Sequence, residues 1–279
     1  MLPTKREKRP IMKLSTATEI LKAAGIEDAR REARLLFSET MQIPLSDLLT
    51  ADVECDSDGL SEAIARRAKR EPLQYIIGEV VFYRERYKVT PDCLIPRSDT
   101  EILVDAVIQR LPKGAHFIDL CTGSGCIALS VLNNTDGTSA MAVDISASAL
   151  NVAKENANRL SLSDRVAFIE KDVLSEAVKG SFHAIVSNPP YVTKEAYKGL
   201  MPEIYFEPDI AFLGGDDGLD FYRGILELYK NSLSDGGFFA FEIGYDQADA
   251  IVLLAEKHLL HCEIINDYGG NARVAILNK

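Results

Sequence analysis

The sequence predicts an α/β protein: a mostly parallel sheet of seven strands, finished by a C-terminal antiparallel hairpin and preceded by a small helical domain. Three observations support this. Apolar residues recur at helical spacing as far as about Arg70, and beyond Lys113 short apolar runs alternate with helix-length segments. The last two runs are separated by too few residues for a crossover helix. Near-continuous apolar strands with helices between them indicate a parallel sheet covered on both faces. A short link between two strands permits only antiparallel pairing.

In chain order, Ile20, Leu21 and Ala24, then Leu35, Leu36 and Phe37, then Leu60, Ile64 and Ala68 mark the helical domain, assigned to residues 1–76. Thr16 with Glu19 three residues on reads as a capping box, and Gly25 and Pro44 punctuate the helices. The "ARRAKR" run (65–70) reads as a solvated charged face rather than an anion site. "EVVFYRERYKVT" (79–90) has the aromatic and β-branched content of a hairpin or extended connector, assigned to residues 77–92. "SDTE" (98–101) predicts a helix start with Ser98 and Glu101 capping reciprocally. The strands of the second domain, residues 93–279, are "HFIDLC", "SAMAVD", "RVAFIE", "HAIVSN", "GGFFAFEIG", "CEIINDY" and "RVAILN".

A chain of 279 residues, 47% hydrophobic, has room for one large core and a smaller unit. A formal charge of -11 argues against a surface built to track phosphate backbones, so no direct nucleic-acid partner is expected. The five cysteines contain no C-x-x-C pair and form no metal-spaced cluster with the four histidines, which predicts reduced thiols and no metal. No apolar run reaches the length of a membrane span, and the basic start "MLPTKREKRPIMKLS" reads as a solvated tail. A cytoplasmic monomer is the expectation.

"FIDLCTGSGCIALS" (117–130) runs strand, glycine turn, helix, which in an open parallel sheet puts Gly123 and Gly125 at the carboxyl edge where a ligand meets bare backbone. Asp144 ends the next strand, where an acid accepts from both ribose hydroxyls, and Asp172 ends the third, placed for an adenine amino group. Each signal alone is weak, since such acids often only cap helices; three consecutive strands ending this way favour a nucleoside ligand. With Ala128 standing for a third glycine, a nicotinamide-dependent oxidoreductase stays open at this point, as does a non-catalytic nucleoside-binding module.

"AIVSNPPYV" (184–192) discriminates further. Pro189 and Pro190 carry no N–H, so the corner presents carbonyl oxygens, the Asn188 amide and the Tyr191 ring. Such a donor-poor corner suits a ligand that donates hydrogen bonds. Asn-Pro is also a common turn starter, but its place after a fourth strand of this series makes mere turn formation the lesser reading.

With "EPLQYIIGE" (71–79), "LIPRSDTE" (94–101), "DLCTGSGCIAL" (119–129), "SNPPY" (187–191), "FEPDIAFLGGDDGLDFYRGIL" (206–226), "FEIGYDQ" (241–247) and "DYGGNARV" (267–274), the whole chain resembles the protein-(glutamine-N5) methyltransferases of peptide chain release factors. These form the PrmC/HemK family of class I S-adenosylmethionine-dependent methyltransferases. The resemblance implies a Rossmann-like fold, a substrate-binding helical domain, and a glutamine of a Gly-Gly-Gln loop as methyl acceptor. It implies cofactor contacts from Asp119, Cys121, Thr122, Gly123, Ser124, Gly125, Asp144, Asp172, Val173 and Asn188. Asn188, Pro189 and Tyr191 are implied as catalytic, with Pro190 beside them in substrate binding. NPPY alone also fits an amino-methyltransferase acting on adenine or guanine in DNA or RNA. The family loop usually reads D-x-G-x-G-x-G, whereas Cys121 stands at the first glycine here, which predicts extended backbone at that residue. Arg97 reads as a cofactor-positioning group or a structural ion pair, and Glu242 and Gln247 as pocket-shaping groups or parts of a strand–helix connection.

Overall fold

The computed structural model describes residues 11–279, so the expected basic tail lies, through residue 10, outside the described residues. The chain divides into two compact units. One contains residues up to Gly78 together with Pro202–Phe206; the other contains Glu79–Met201 and Glu207–Lys279.

The first unit comprises β1 (Met12–Lys13), α1 (Leu14–Ala23), α2 (Ala29–Met41), β2 (Glu54–Cys55), α3 (Asp58–Ala68) and α4 (Leu73–Ile77). Its helices bury Leu21, Phe37, Leu60 and Ile64 against one another. Residues 12–15 do not belong to a solvated tail as expected, because Met12 and Lys13 pair with Cys55 and Glu54 and Leu14 begins a helix. The Thr16 capping box does not form. The helix begins three residues earlier, at Leu14, and its first turn is capped from elsewhere, with the Ser15 N–H and hydroxyl both donating to Asp52 at 2.8 Å. The basic run is no solvated face either: Arg67 is 5% exposed and pairs with Glu32 at 2.5 Å and Glu203 at 3.0 Å, while Arg70 takes the other Glu203 oxygen.

The second unit begins with an antiparallel hairpin, β3 (Glu79–Phe82) and β4 (Glu85–Lys88), turning at Tyr83, whose φ is +58°. It continues through α5 (Glu101–Arg110), β5 (His116–Leu120), α6 (Cys126–Asn133), β6 (Ser139–Asp144), α7 (Ala147–Arg159), β7 (Val166–Glu170), β8 (Phe182–Ser187), α8 (Lys194–Tyr197), α9 (Asp220–Tyr229), β9 (Leu233–Glu242), α10 (Ala248–Lys257), β10 (His261–Asn266) and β11 (Ala272–Asn278). The seven strands from β5 to β11 form one sheet in the order β10-β11-β9-β8-β5-β6-β7. All pairings are parallel except those of β11, which runs antiparallel to both β9 and β10.

Alternate residues serve opposite faces, as the pleat requires. Phe117, Ala184, Val186 and Ala240 pack beneath α5, α6 and the hairpin residues Phe82 and Tyr87. Ile118, Ile185, Phe239 and Phe241 pack on the other face with Tyr222, Ile225 and Leu226 of α9 and Ile251 of α10. Chain order reverses between β5 and β8, so their carboxyl ends flank the switch point where open α/β sheets bind ligands.

Ser98 does not cap α5. Residues Ser98–Thr100 form a 3-10 turn, and Glu101 Oε1 instead accepts the Tyr83 N–H at 2.7 Å, while the Tyr83 hydroxyl donates to Asp105. A non-local donor has displaced the local one.

Candidate active site

Parallel register places Leu120 beside Ser187, so the glycine turn after β5 and the NPPY turn after β8 leave the sheet side by side. The Ser187 hydroxyl donates to the Leu120 carbonyl at 2.7 Å and ties the two exits together.

Cys121 turns the chain at a φ of +60°, not in the extended region expected for it. The turn is too sharp for extended backbone: immediately after Leu120 the Thr122 N–H must reach the Val143 carbonyl of the neighbouring strand, at 3.0 Å. Gly123 follows with φ +54°, and a Cβ built there meets no atom of the described residues within 4 Å, so its backbone faces open space. Its N–H donates to Asp144 Oδ2 at 2.8 Å, and Ser146 N–H donates to Oδ1 at 2.9 Å. Asp144 therefore both braces the loop and supports the start of α7, and each of its oxygens keeps a further lone pair. Burial raises its pKa, and those backbone donors oppose the rise.

Asp119 is fully buried beneath the loop. Its Oδ2 accepts from the Thr122 hydroxyl at 2.6 Å and the Ala128 N–H at 3.3 Å, while Oδ1 has no partner among the described residues. Burial pushes its pKa up to about 7 against these two donors.

A pocket with about 780 Å³ of space, its open mouth included, lies at this edge. Cys121, Gly123, Asp144, Asp172, Val173, Asn188 and Pro190 all line it. Asp119, Thr122, Ser124, Gly125, Pro189 and Tyr191 are not in its lining. Asp172 is exposed, and one of its oxygens accepts the Leu174 N–H at 2.9 Å. Leu94, Ile145 and Phe221 supply apolar wall that the sequence did not single out by chemistry. Bare backbone at Gly123, an acid with spare lone pairs and an apolar wall together fit an adenosine-bearing ligand.

In the NPPY turn, Asn188 Nδ2 donates to Thr100 Oγ1 at 3.4 Å. Neither Asn188 Oδ1 nor the Pro189 carbonyl accepts a hydrogen bond from the described residues, so two acceptors stand free at a donor-poor corner. The Tyr191 hydroxyl donates to Glu242 Oε1 at 3.3 Å, and Gln247 Nε2 donates to the Tyr191 carbonyl at 3.2 Å. The glycines of "FLGGDDGLD" pack against this turn: a Cβ at Gly214 would stand 2.5 Å from the Pro190 carbonyl oxygen. Glu207, 5% exposed, accepts the Ile95 N–H at 2.9 Å and pairs with Arg97, so Arg97 is an ion-pair partner. Thr100, Glu207 and Gly214 carry no assigned role in the sequence because their partners lie far away along the chain, although all three fall inside the motif blocks 94–101 and 206–226.

Among the described residues no group of three or more His, Cys, Asp or Glu side chains is arranged to hold a metal, and no helix is long and apolar enough to cross a membrane.

A doubly wound sheet with an antiparallel β11, a glycine turn at the switch point and NPPY beside it define a class I S-adenosylmethionine-dependent methyltransferase. Among solved structures, a ribosomal protein L11 methylase from Lactobacillus delbrueckii subsp. bulgaricus shares the fold, with a TM-score of 0.50, 20% identity, and coverage of 66% of this chain and 80% of that one. The methyltransferase small domain family matches residues 98–205, and the PrmC N-terminal domain family matches residues 13–78. The release factor glutamine methyltransferase of Fusobacterium nucleatum subsp. nucleatum is 38% identical over 273 residues, covering 94% of this chain and 77% of that protein. That of Moorella thermoacetica is 39% identical over 268 residues, covering 93% and 95%. The chain belongs to the release factor glutamine methyltransferase family.

Proposed function

We propose that this protein transfers a methyl group from S-adenosylmethionine to the side-chain amide nitrogen (N5) of a glutamine in the Gly-Gly-Gln loop of a peptide chain release factor. The observation that carries this reading is the pair of free acceptors, Asn188 Oδ1 and the Pro189 carbonyl, at a pocket edge where two prolines remove competing N–H donors.

A carboxamide nitrogen is a poor nucleophile because its lone pair is delocalised into the carbonyl. Asn188 Oδ1 and the Pro189 oxygen accept its two hydrogens, which favours a pyramidal nitrogen with the lone pair directed into the pocket. The Tyr191 ring stacks on the planar group. S-adenosylmethionine, when bound, supplies a methyl carbon made electrophilic by positive sulfur. With the cofactor bound, the nitrogen lone pair would form the new N–C bond as the methyl–sulfur bond breaks, the electron pair of that bond staying on sulfur to leave S-adenosylhomocysteine, and one of the two nitrogen protons would pass to water. Orientation of this kind removes on the order of several kcal/mol from a barrier.

For the cofactor, Gly123 offers backbone, Asp144 the acceptor for ribose hydroxyls, Asp172 the acceptor for the adenine amino group, and Cys121, Val173 and Asn188 the surrounding wall. Asp119, Thr122, Ser124 and Gly125 hold the loop from behind. In this reading the helical unit binds the protein substrate. Mass measurement of a release factor incubated with protein and S-adenosylmethionine tests it: one added methyl, localised to the glutamine of that loop, is expected. Methylation of adenine or guanine in nucleic acid, with the release factor unmodified, would overturn it.

A further inference from the structure

Along α7 the buried residues Ala149, Val152 and Ala153 recur at helical spacing, and the same stripe runs on into Asn156, which is fully buried. An amide in an apolar stripe needs partners for its polar atoms. Its Oδ1 accepts the Lys88 N–H at 2.7 Å, while Nδ2 donates to the Lys88 carbonyl at 3.0 Å and to the Ser124 carbonyl at 2.9 Å. A donor on one side and two carbonyls on the other leave the amide a single orientation.

Neither Lys88 nor Ser124 lines the cofactor pocket, but each adjoins a stretch that does. Ser124 follows Gly123, and its carbonyl is left for Asn156 because the Ala128 N–H, which a helix would turn back on it, donates to Asp119 instead. Lys88 ends β4, and shortly after it come Asp92, Cys93 and Leu94, which line the same pocket as Gly123. The far end of that second stretch is held at Ile95, whose N–H donates to Glu207 at 2.9 Å. Ala153, nearly one turn before Asn156, packs against the loop as well: a Cβ built on Gly125 would stand 3.1 Å from the Ala153 Cβ. The helix thus supports the glycine turn by contact and ties it to the second stretch through one side chain.

Resting on the reading of that pocket as the S-adenosylmethionine site, we propose that Asn156 is a positioning residue for the cofactor: it sets the spacing between the Gly123 turn and the wall at residues 92–94, and through that spacing the affinity for S-adenosylmethionine. The side chain bonds both the N–H and the carbonyl of Lys88, as a neighbouring strand would, and has one hydrogen left for the loop. A carboxylate of the same shape has no hydrogen to offer and would face two carbonyl oxygens. Asn188 Oδ1 and the Pro189 carbonyl, which hold the methyl acceptor, follow another strand and make no bond to this clamp. Loosening it therefore weakens cofactor binding and leaves the rate of the loaded complex alone.

Calorimetric titration with S-adenosylmethionine and steady-state kinetics of Asn156→Ser, Asn156→Asp and Glu155→Gln, beside wild type, test this at a temperature where circular dichroism shows each protein folded. Glu155 pairs with Lys88 at 2.6 Å, joining the same strand and helix with no hydrogen bond to the loop, and serves as the control. The expected result is affinity lowered about tenfold in Asn156→Ser and about a hundredfold in Asn156→Asp. The KM for S-adenosylmethionine rises in step, kcat at saturation stays within about twofold, and Glu155→Gln binds as wild type does. Should neither Asn156 variant fold, wild type alone decides. Linkage is reciprocal, so saturating S-adenosylmethionine should slow hydrogen exchange at the Lys88 amide by about fivefold or more.

Wild-type affinity in the Asn156 variants, an equal loss in Glu155→Gln, or an unchanged Lys88 exchange rate overturns the proposal. So does a lower kcat at unchanged affinity, which is what a merely structural residue produces by reducing the active fraction. Wild-type protein that binds no S-adenosylmethionine defeats the reading of the pocket itself, whereas wild-type binding beside unaltered affinity in the variants defeats only the role of Asn156.

Discussion

Gly218 lies so close against the Tyr191 carbonyl that a Cβ built on it would stand 2.3 Å from the oxygen, and 2.8 Å from the Gln247 nitrogen that bonds the same carbonyl. The residue has no side chain because the backbone of the NPPY turn occupies that space. Gly218→Ala forces the turn to move and also strains a φ of +74°. The expected cost is about 2–4 kcal/mol of stability, with a fall in kcat larger than any change in cofactor affinity. Chemical denaturation and steady-state kinetics of the variant check both.

Gly123 makes the opposite case. A Cβ there meets nothing of the described residues within 4 Å, so Gly123→Ala costs only the backbone penalty of φ +54°, about 1 kcal/mol. The added methyl projects into the open space that a bound nucleoside is to approach. Calorimetric titration should show S-adenosylmethionine affinity reduced about tenfold or more, with the melting curve little changed. An unaltered affinity would remove Gly123 from the cofactor site.

Cys121 carries a side chain at a φ of +60°. Cys121→Gly relieves that strain and should leave stability unchanged or higher by up to about 1 kcal/mol, even though an apolar side chain is lost. Cys121→Val, branched at Cβ, should lose about 2 kcal/mol. Were the residue extended, the order of the two variants would reverse, so a pair of melting curves decides it.

Asp119 gives a pH signature. Its pKa is raised from 3.8 unfolded to about 7 folded, because burial outweighs the Thr122 and Ala128 donors. The folded state therefore holds the proton more tightly, and the Asp119 contribution to stability is greatest below the unfolded value and is lost as pH rises to about 7. The stability of wild type relative to Asp119→Asn should decline over that window and level off above it. Urea denaturation of the two proteins across the range measures the difference; a rising difference would contradict the assignment.

Periodicity carried the fold because the second unit obeys it: the apolar runs ending at Asp144 and Ser187 are strands, and a short link made β10 and β11 antiparallel. The candidate site was legible where side-chain chemistry is local, as at Gly123, Asp144 and Asn188. It was illegible where distant segments meet. Asp52 caps α1 across the first unit, and the Tyr83 N–H claims Glu101, so both local capping boxes fail to form. Thr100 is ordinary in sequence, and Glu242 reads there only as a pocket-shaping group or part of a strand–helix connection; their ties to Asn188 and Tyr191 come from segments that fold beside them. Backbone conformation at Cys121 was misread because a non-glycine residue argues for extended chain, and the demand of Thr122 for the Val143 carbonyl overrides that preference.

The most direct measurement is single-turnover methylation of a release factor by Asn188→Ala beside wild type, read by mass, with S-adenosylmethionine affinity determined on the same samples. The account predicts no detectable methyl on the glutamine while affinity stays within about tenfold of wild type. Methylation at near the wild-type rate would contradict it.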